Sequence, residues 1–116
     1  MSVTRSAALS NDPIAERMAA ECLLGGGSAL SAALAGFFAS AGANAGVLLG
    51  PLSILVGGVG SGVRAFDGRL RQPGLGAKRP RGFRDEDPVP DAAYVAVPSA
   101  VAAVAVAQAY GDERAI

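Results

Sequence analysis

A long uncharged run dominates the hydrophobic pattern of this chain. The forty-two residues from Cys22 to Val63 include no acidic or basic side chain, and eleven of them are glycine. About 20 apolar residues are enough to cross a bilayer. The run is therefore compatible with membrane-spanning segments as well as with the interior of a globular fold. The distribution of helix breakers within it distinguishes the two interpretations.

A membrane hairpin would use Ser28–Gly46 and Val47–Val63 as its two spans. The second of these carries Pro51 and five glycines, which an unsupported span tolerates poorly. Tryptophan is absent and both tyrosines lie far downstream, so neither end has an aromatic belt. These features favour a soluble fold and leave the membrane hairpin as an alternative. No signal-peptide pattern opens the chain, and we therefore expect a cytoplasmic protein.

The first part of the chain predicts two helices. Asp12 is suited to cap a helix that starts at Pro13, since proline at the first helical position loses no hydrogen bond. That helix should end at Gly25–Gly27. Its apolar stripe is predicted to be Ile14, Met18 and Cys22. A single cysteine forms no internal disulfide, and we interpret Cys22 as a packing residue.

The second predicted helix is capped by Ser28 and is rich in alanine. Because it is apolar nearly all round, we expect burial on more than one side. Its bulky members are Leu30, Leu34, Phe37 and Phe38. The stretch Gly42–Gly50 is expected to break it.

Two strands and then a loop should follow. Leu52–Val56 is short, β-branched and bounded by turn residues, and Val63–Asp67 alternates as a return strand with Arg64 and Phe66 on one face. The glycine-rich stretch between the two strands predicts a hairpin connection. Residues 68–93 are rich in basic residues, proline and glycine, and we interpret them as a loop.

The last part of the chain predicts one more strand and one more helix. Tyr94–Val97 alternates as a short strand, and Ser99 can cap a helix that stops at Gly111. The predicted order is helix-helix-strand-strand-loop-strand-helix. We therefore expect an α+β fold and one partial domain over residues 1–116.

Charge and composition exclude several kinds of site. Seven Arg or Lys lie between Arg64 and Arg84, but acids follow at once and the formal net charge is zero. With Phe83 as the only aromatic in that loop, nucleic-acid binding is not expected. The chain has no histidine, so it cannot supply a Ser–His or Cys–His dyad by itself. Cysteine–histidine metal sites are excluded for the same reason, and no cofactor or metal is expected.

Four segments in order resemble the start of gamma-glutamyltransferases. Gly26–Ala35 is similar to the family pattern G-G-x-A-V-D-A-A-V-A, and Asp67–Pro73 is similar to D-x-R-E-x-A-P. Val95–Ala103 is similar to V-T-V-P-G-A-V-A-G, and Tyr110–Gly111 matches the Y-G that closes the next helix. Each segment is degenerate on its own, but their shared order makes the resemblance specific over about residues 15–111.

The resemblance implies a fold and an activity. Members have the N-terminal nucleophile hydrolase fold, a four-layer αββα sandwich produced by a precursor that cleaves itself. This chain would be the small subunit, and a large subunit from the same precursor would begin with the Thr, Ser or Cys nucleophile. Because the nucleophile's own α-amino group serves as the base, no histidine is needed. A dimer of such heterodimers is possible, and the substrate would be a small-molecule amide.

The resemblance also assigns a substrate-binding residue. The arginine of D-x-R-E-x-A-P binds the substrate's carboxylate, and Arg69 stands at that position, with Arg71 as the alternative if the alignment shifts by two residues. Ser31 and Leu70 replace acidic residues of the family patterns, so the substrate need not be a glutamyl compound. We expect a compact subunit that is cleaved after Ile116. The alternative function is a non-catalytic, Ala/Gly-rich interaction module.

Overall fold

A computed structural model describes residues 5–58, 62–73 and 84–114. Its described elements are helices, one antiparallel pair of strands and a 3₁₀ turn, which confirms the α+β class. In chain order they are α1 (Pro13–Leu24), α2 (Ala29–Ala43), α3 (Gly46–Leu49), β1 (Leu52–Gly58), β2 (Gly62–Gly68), the 3₁₀ turn (Asp91–Tyr94) and α4 (Ala100–Arg114). Within these described ranges, none of the helices is both long and apolar enough to cross a membrane.

The caps of α1 and α2 are those that the sequence predicts. An Asp12 carboxylate oxygen accepts a hydrogen bond from the backbone N–H of Ile14 at 3.0 Å. The hydroxyl oxygen of Ser28 accepts one from the N–H of Ser31 at 3.1 Å. Each cap satisfies a donor that the first helical turn would otherwise leave without a partner. Both helix starts therefore follow from local chemistry.

The helices α1 and α2 pack through small residues, which corrects the predicted apolar stripe. A Cβ added at Gly36 would lie 2.9 Å from the backbone oxygen of Ala15, so the two backbones meet there. Ala19 is buried in α1, whereas Ile14 and Met18 are 43% and 39% exposed. Close approach of two backbones requires small residues at the contact, and this is why the bulkier stripe lies off it.

A polar contact joins the end of α2 to the start of α1. The Ser40 hydroxyl donates to Asp12, on the carboxylate oxygen that is not the one capping Ile14. This hydrogen bond, followed by the backbone bond from Ile14, holds the pKa of Asp12 below its ordinary value. Asp12 is thus both a helix cap and a link between the two helices.

The two predicted strands form the sheet, each slightly longer than predicted. Ile54 pairs with Phe66 and Leu55 with Ala65, in antiparallel register. Gly57, Gly58 and Gly62, which the sequence predicts to lie in the connection, belong to the strands instead. The remainder of the predicted turn, residues 59–61, lies outside the described residues. The alternation of faces in β2 is as predicted, with Phe66 half-buried and Val63 exposed.

The core lies where α2, α4 and one face of the sheet meet. Its buried cluster consists of Leu30, Leu34, Val56, Val104 and Ala107. Half-buried side chains from the strands and helices surround this cluster, and the rings of Phe66 and Tyr110 lie 5.6 Å apart. Helix α4 therefore covers one face of the sheet.

The predicted strand Tyr94–Val97 is wrong. Its first residue ends the 3₁₀ turn, in which Ala93 N–H donates to the Pro90 carbonyl. Val97 pairs with Arg71 in an isolated bridge, and Tyr94 is well exposed. Alternation alone cannot make a strand without a neighbouring strand to pair with, and Pro98 next in sequence has no N–H to extend the pairing.

Two predicted breaks are also corrected. The stretch Gly42–Gly50 is not irregular throughout, because α2 continues to Ala43 and α3 adds one more turn. Gly111 does not end the last helix, which runs on to Arg114. Contacts that bridge the glycine support this continuation, since the Gln108 amide donates to Asp112 at 2.8 Å and the Arg114 guanidinium lies 5.5 Å from the Tyr110 ring.

Candidate functional site

The predicted site residues follow directly after β2. Gly68 ends that strand, and an added Cβ would lie 3.0 Å from the Ala103 Cβ and 3.1 Å from the Ala100 Cα. A larger residue at this position would push the first turn of α4 away from the sheet. Glycine therefore lets the start of α4 approach the residue that follows, Arg69.

Backbone hydrogen bonds join the segment that contains Arg69 to the segment before α4. The N–H of Arg71 donates to the Val97 carbonyl at 2.9 Å, and the N–H of Val97 donates to the Arg71 carbonyl at 2.8 Å. The Ser99 hydroxyl donates to the Arg69 carbonyl at 2.5 Å. Two segments about thirty residues apart in the sequence are thus held side by side.

Asp67 forms hydrogen bonds with both the backbone and the side chain of Arg69. Its Oδ1 accepts from the Arg69 N–H at 3.0 Å, and its Oδ2 accepts from Nε at 2.6 Å. The Nη2 group of Arg69 forms an ion pair with the same Oδ2. These contacts lower the pKa of Asp67 and raise that of Arg69, so both remain charged at neutral pH.

Arg71 adds a second positive charge to this segment. It follows Arg69 by two residues, just beyond the turn that Asp67 forms after β2. The charge of Arg71 contributes, after the effects of Arg69, to lowering the pKa of Asp67. The three side chains together carry a net charge of about +1, which suits one carboxylate ligand.

An apolar groove begins at the same end of the sheet. It has a volume of about 270 Å³ and lies between α2 and β1. Its lining residues are Ala33, Leu34, Phe37, Leu52, Ser53, Ile54 and Leu55. Leu52 pairs with Gly68, the residue before Arg69, so the groove and the charged segment meet the sheet at neighbouring positions.

The arrangement offers groups that can bind an anion. Arginine guanidinium groups bind carboxylates through two parallel hydrogen bonds. Across the part of the chain that the structure describes, no three His, Cys, Asp or Glu side chains are grouped as metal ligands would be.

The face of the sheet opposite α4 is open. Leu55 and Val63 lie on it and are 73% and 76% exposed. Their neighbours Ser53, Ala65 and Asp67 are exposed as well. Exposed apolar side chains that adjoin one another on a sheet are typical of a surface that a partner covers.

The sequence identified Arg69 and Arg71 as candidates but missed two residues beside them. In the sequence Asp67 is both the last residue of a predicted strand and the first residue of the segment similar to D-x-R-E-x-A-P, but it was given no role in binding; its spacing of two residues from Arg69 was a usable signal. Ser99 was read as a helix cap, and its hydroxyl instead donates to Arg69 across the fold. No sequence pattern predicts that contact, because it depends on how α4 packs on the sheet.

In comparisons with known proteins, neither a family model nor a curated protein matches the sequence.

Proposed function

We propose that this chain is the small subunit of a gamma-glutamyltransferase-like amidohydrolase or acyltransferase. Its substrate is a small amide that bears a carboxylate, and Arg69 binds that carboxylate. The nucleophile is a Thr, Ser or Cys at the start of a large subunit, which the same precursor releases by cleaving itself. The proposal rests on the sequence resemblance together with the geometry around Arg69.

One observation carries the proposal. The resemblance falls on separate segments, and two of them, Asp67–Pro73 and Val95–Ala103, lie against each other through the Arg71–Val97 and Ser99–Arg69 hydrogen bonds. A chance likeness between low-complexity segments would not require them to meet in space. They meet at the residue for which the resemblance implies a role in binding.

The open sheet face supports the proposed second subunit. A hairpin of two strands is marginally stable by itself, and here α4 covers only one of its faces. In a four-layer αββα sandwich a second sheet would cover Leu55 and Val63. The partner would also extend the sheet beyond β1 and supply the nucleophile.

In the proposed mechanism this chain binds and orients the substrate. The Arg69 guanidinium donates two hydrogen bonds to the carboxylate and so fixes the distance from it to the scissile amide. The nucleophile of the partner subunit attacks the amide carbonyl, its α-amino group takes the proton, and the leaving amine receives it. Water or a second amine then releases the acyl group.

The test compares substrates that differ only in the carboxylate. Glutaryl and γ-glutamyl p-nitroanilides are paired with butyryl and 4-aminobutyryl p-nitroanilides, which lack it. The wild-type assembly should prefer the carboxylate-bearing member of at least one pair. Arg69→Lys keeps the charge but loses the planar fork, and we expect that preference, as a ratio of kcat/KM, to fall by about tenfold to a hundredfold.

Two control variants separate this role from general charge. Arg71→Lys tests the alternative alignment of the motif. Arg17→Lys is the matched surface control, since the Arg17 side chain is 76% exposed, against 75% for Arg69, and also faces a carboxylate, that of Glu21 at 3.9 Å. An unchanged preference in Arg69→Lys, with the assembly still folded, contradicts the carboxylate role.

A second experiment tests the subunit arrangement. Intact mass of the purified assembly should reveal a second chain that begins with Thr, Ser or Cys, and residues 1–116 expressed alone should aggregate through the open face. A soluble monomer with a cooperative melt would argue against the partner subunit. The non-catalytic interaction module, which the open face also favours, predicts a partner without such an N-terminus, and the membrane hairpin predicts solubility only in detergent.

A further inference from the structure

The contacts around Arg69 use one particular edge of its guanidinium group. A guanidinium offers a side edge, formed by Nε and Nη2, and an end edge, formed by Nη1 and Nη2. Asp67 Oδ2 accepts from Nε and pairs with Nη2, which occupies the side edge. Over the described ranges, no other side chain bonds to this guanidinium, so the end edge is open to a ligand.

The backbone of Arg69 is held on both sides of its Cα. Its N–H donates to Asp67 Oδ1 at 3.0 Å, and its carbonyl accepts from the Ser99 hydroxyl at 2.5 Å. One residue further on, Leu70 leads into Arg71, whose backbone pairs with Val97. The direction of the Arg69 side chain is therefore fixed by contacts that involve no substrate.

We propose that Asp67 is a positioning residue, which holds the side edge of the Arg69 guanidinium so that the end edge binds the substrate carboxylate. This inference rests on the proposed function of Arg69 and adds the residue that orients it. Because the arginine is ordered before the substrate arrives, binding loses less side-chain entropy. Arg71 restores the positive charge that Asp67 offsets.

The variant that tests this role is Asp67→Asn. Asparagine still accepts a hydrogen bond from the Arg69 N–H, so the turn after β2 is kept, but its neutral amide binds the guanidinium weakly. We expect KM for the carboxylate-bearing p-nitroanilide to rise about tenfold with a smaller change in kcat, as for loss of one charge-assisted interaction in substrate binding. The Arg69 Nε–H resonance should exchange with solvent faster than in the wild type.

A double variant distinguishes positioning from a general structural effect. If Asp67 acts through Arg69, Asp67→Asn combined with Arg69→Lys should be no worse than Arg69→Lys alone. Additive losses in the double variant would overturn the inference. So would an Asp67→Asn protein with wild-type KM or an unchanged Arg69 resonance.

The outcomes also distinguish this inference from the proposed function. Loss of carboxylate preference in Arg69→Lys with wild-type kinetics in Asp67→Asn overturns the positioning role and leaves the proposed function standing. Absence of carboxylate preference in the wild-type assembly overturns both. A changed preference in both single variants, non-additive in the double variant, supports both.

Discussion

The helical hairpin and the strand hairpin of this protein use similar small apolar residues but differ in how completely they are covered. In α1 and α2 the backbones meet at Gly36, both helix starts are capped, and Ser40 joins one helix to the other. In β1 and β2 one face packs on α4 while Leu55 and Val63 on the other face are exposed. The comparison teaches that the two helices bury their shared contact by themselves, whereas the sheet leaves one whole face exposed.

The difference has a physical origin in the hydrogen bonds of each element. A helix satisfies its backbone groups internally, so small residues are enough to bury one side of it against another helix. A two-stranded sheet leaves one edge of each strand unpaired, and it has two faces to cover. Four predictions test this contrast, each measured on the protein in its native assembly unless stated.

The largest effect is expected at the core that joins the two regions. Leu34 belongs to α2, is buried, and packs in the cluster with Val56 and Val104. Leu34→Ala should lower the free energy of unfolding by about 2–5 kcal/mol, measured by urea denaturation. Phe38→Ala on the exposed side of the same helix is the control, and an equal loss in both would contradict the assigned core.

A smaller loss is expected where the two helices touch. Gly36→Ala places a methyl group 2.9 Å from the Ala15 carbonyl oxygen, and we expect a loss of about 1–3 kcal/mol as the helices move apart. Gly42→Ala, where a Cβ meets nothing within 4 Å, should instead gain about 0.5–1 kcal/mol in helix propensity. Urea denaturation of both variants checks the opposite signs, and a gain at Gly36 would contradict close helix packing.

The third effect is on the acid stability of the helical hairpin. The pKa of Asp12 is lowered in the fold from an ordinary 3.8, so its stabilisation is complete above that value and is lost as pH falls through the lower, folded pKa. Solvent screening of the Asp12 charge should make the stability lost on acidification smaller than the loss expected for Gly36→Ala. Asp12→Asn keeps a capping residue but should remove this part of the acid transition, followed by circular dichroism against pH. A wild-type acid transition in the variant would contradict the assignment.

The smallest effect on folding is expected on the open sheet face. Because Leu55 is exposed, Leu55→Thr should change the stability of the helical hairpin by no more than about 0.5 kcal/mol, measured by hydrogen exchange of the α2 amides. The same variant should raise the soluble yield of the chain expressed alone. Ser53→Thr, on the same face, is the control for a change that removes no apolar surface, and equal yields from both variants would contradict an aggregating face.

Much of the local structure could be predicted from the sequence because short-range chemistry decides it. Asp12 and Ser28 cap helices through their own hydrogen bonds to the next turn, and the alternation of Val63–Asp67 is intrinsic to an extended strand. The same reasoning was wrong for Tyr94–Val97, where a strand needs a neighbour that the alternation does not specify. The prediction that the last helix ends at Gly111 was wrong for a related reason. The hydrogen bond from Gln108 to Asp112 spans the glycine, and the helix continues past it.

At the candidate site, too, some features could be predicted from the sequence and others depend on the fold. The sequence itself gives Asp67, Arg69 and Arg71 at spacings of two residues, and the resemblance identified both arginines as candidate substrate-binding residues. Only the fold decided that Ser99 and Val97 lie beside them, because that contact follows from packing α4 against Gly68. The sequence thus determined which charged groups this segment carries. The tertiary structure decided which segments meet at Arg69, since the hydrogen bonds from Ser99 and Val97 join distant parts of the chain and depend on how the layers pack.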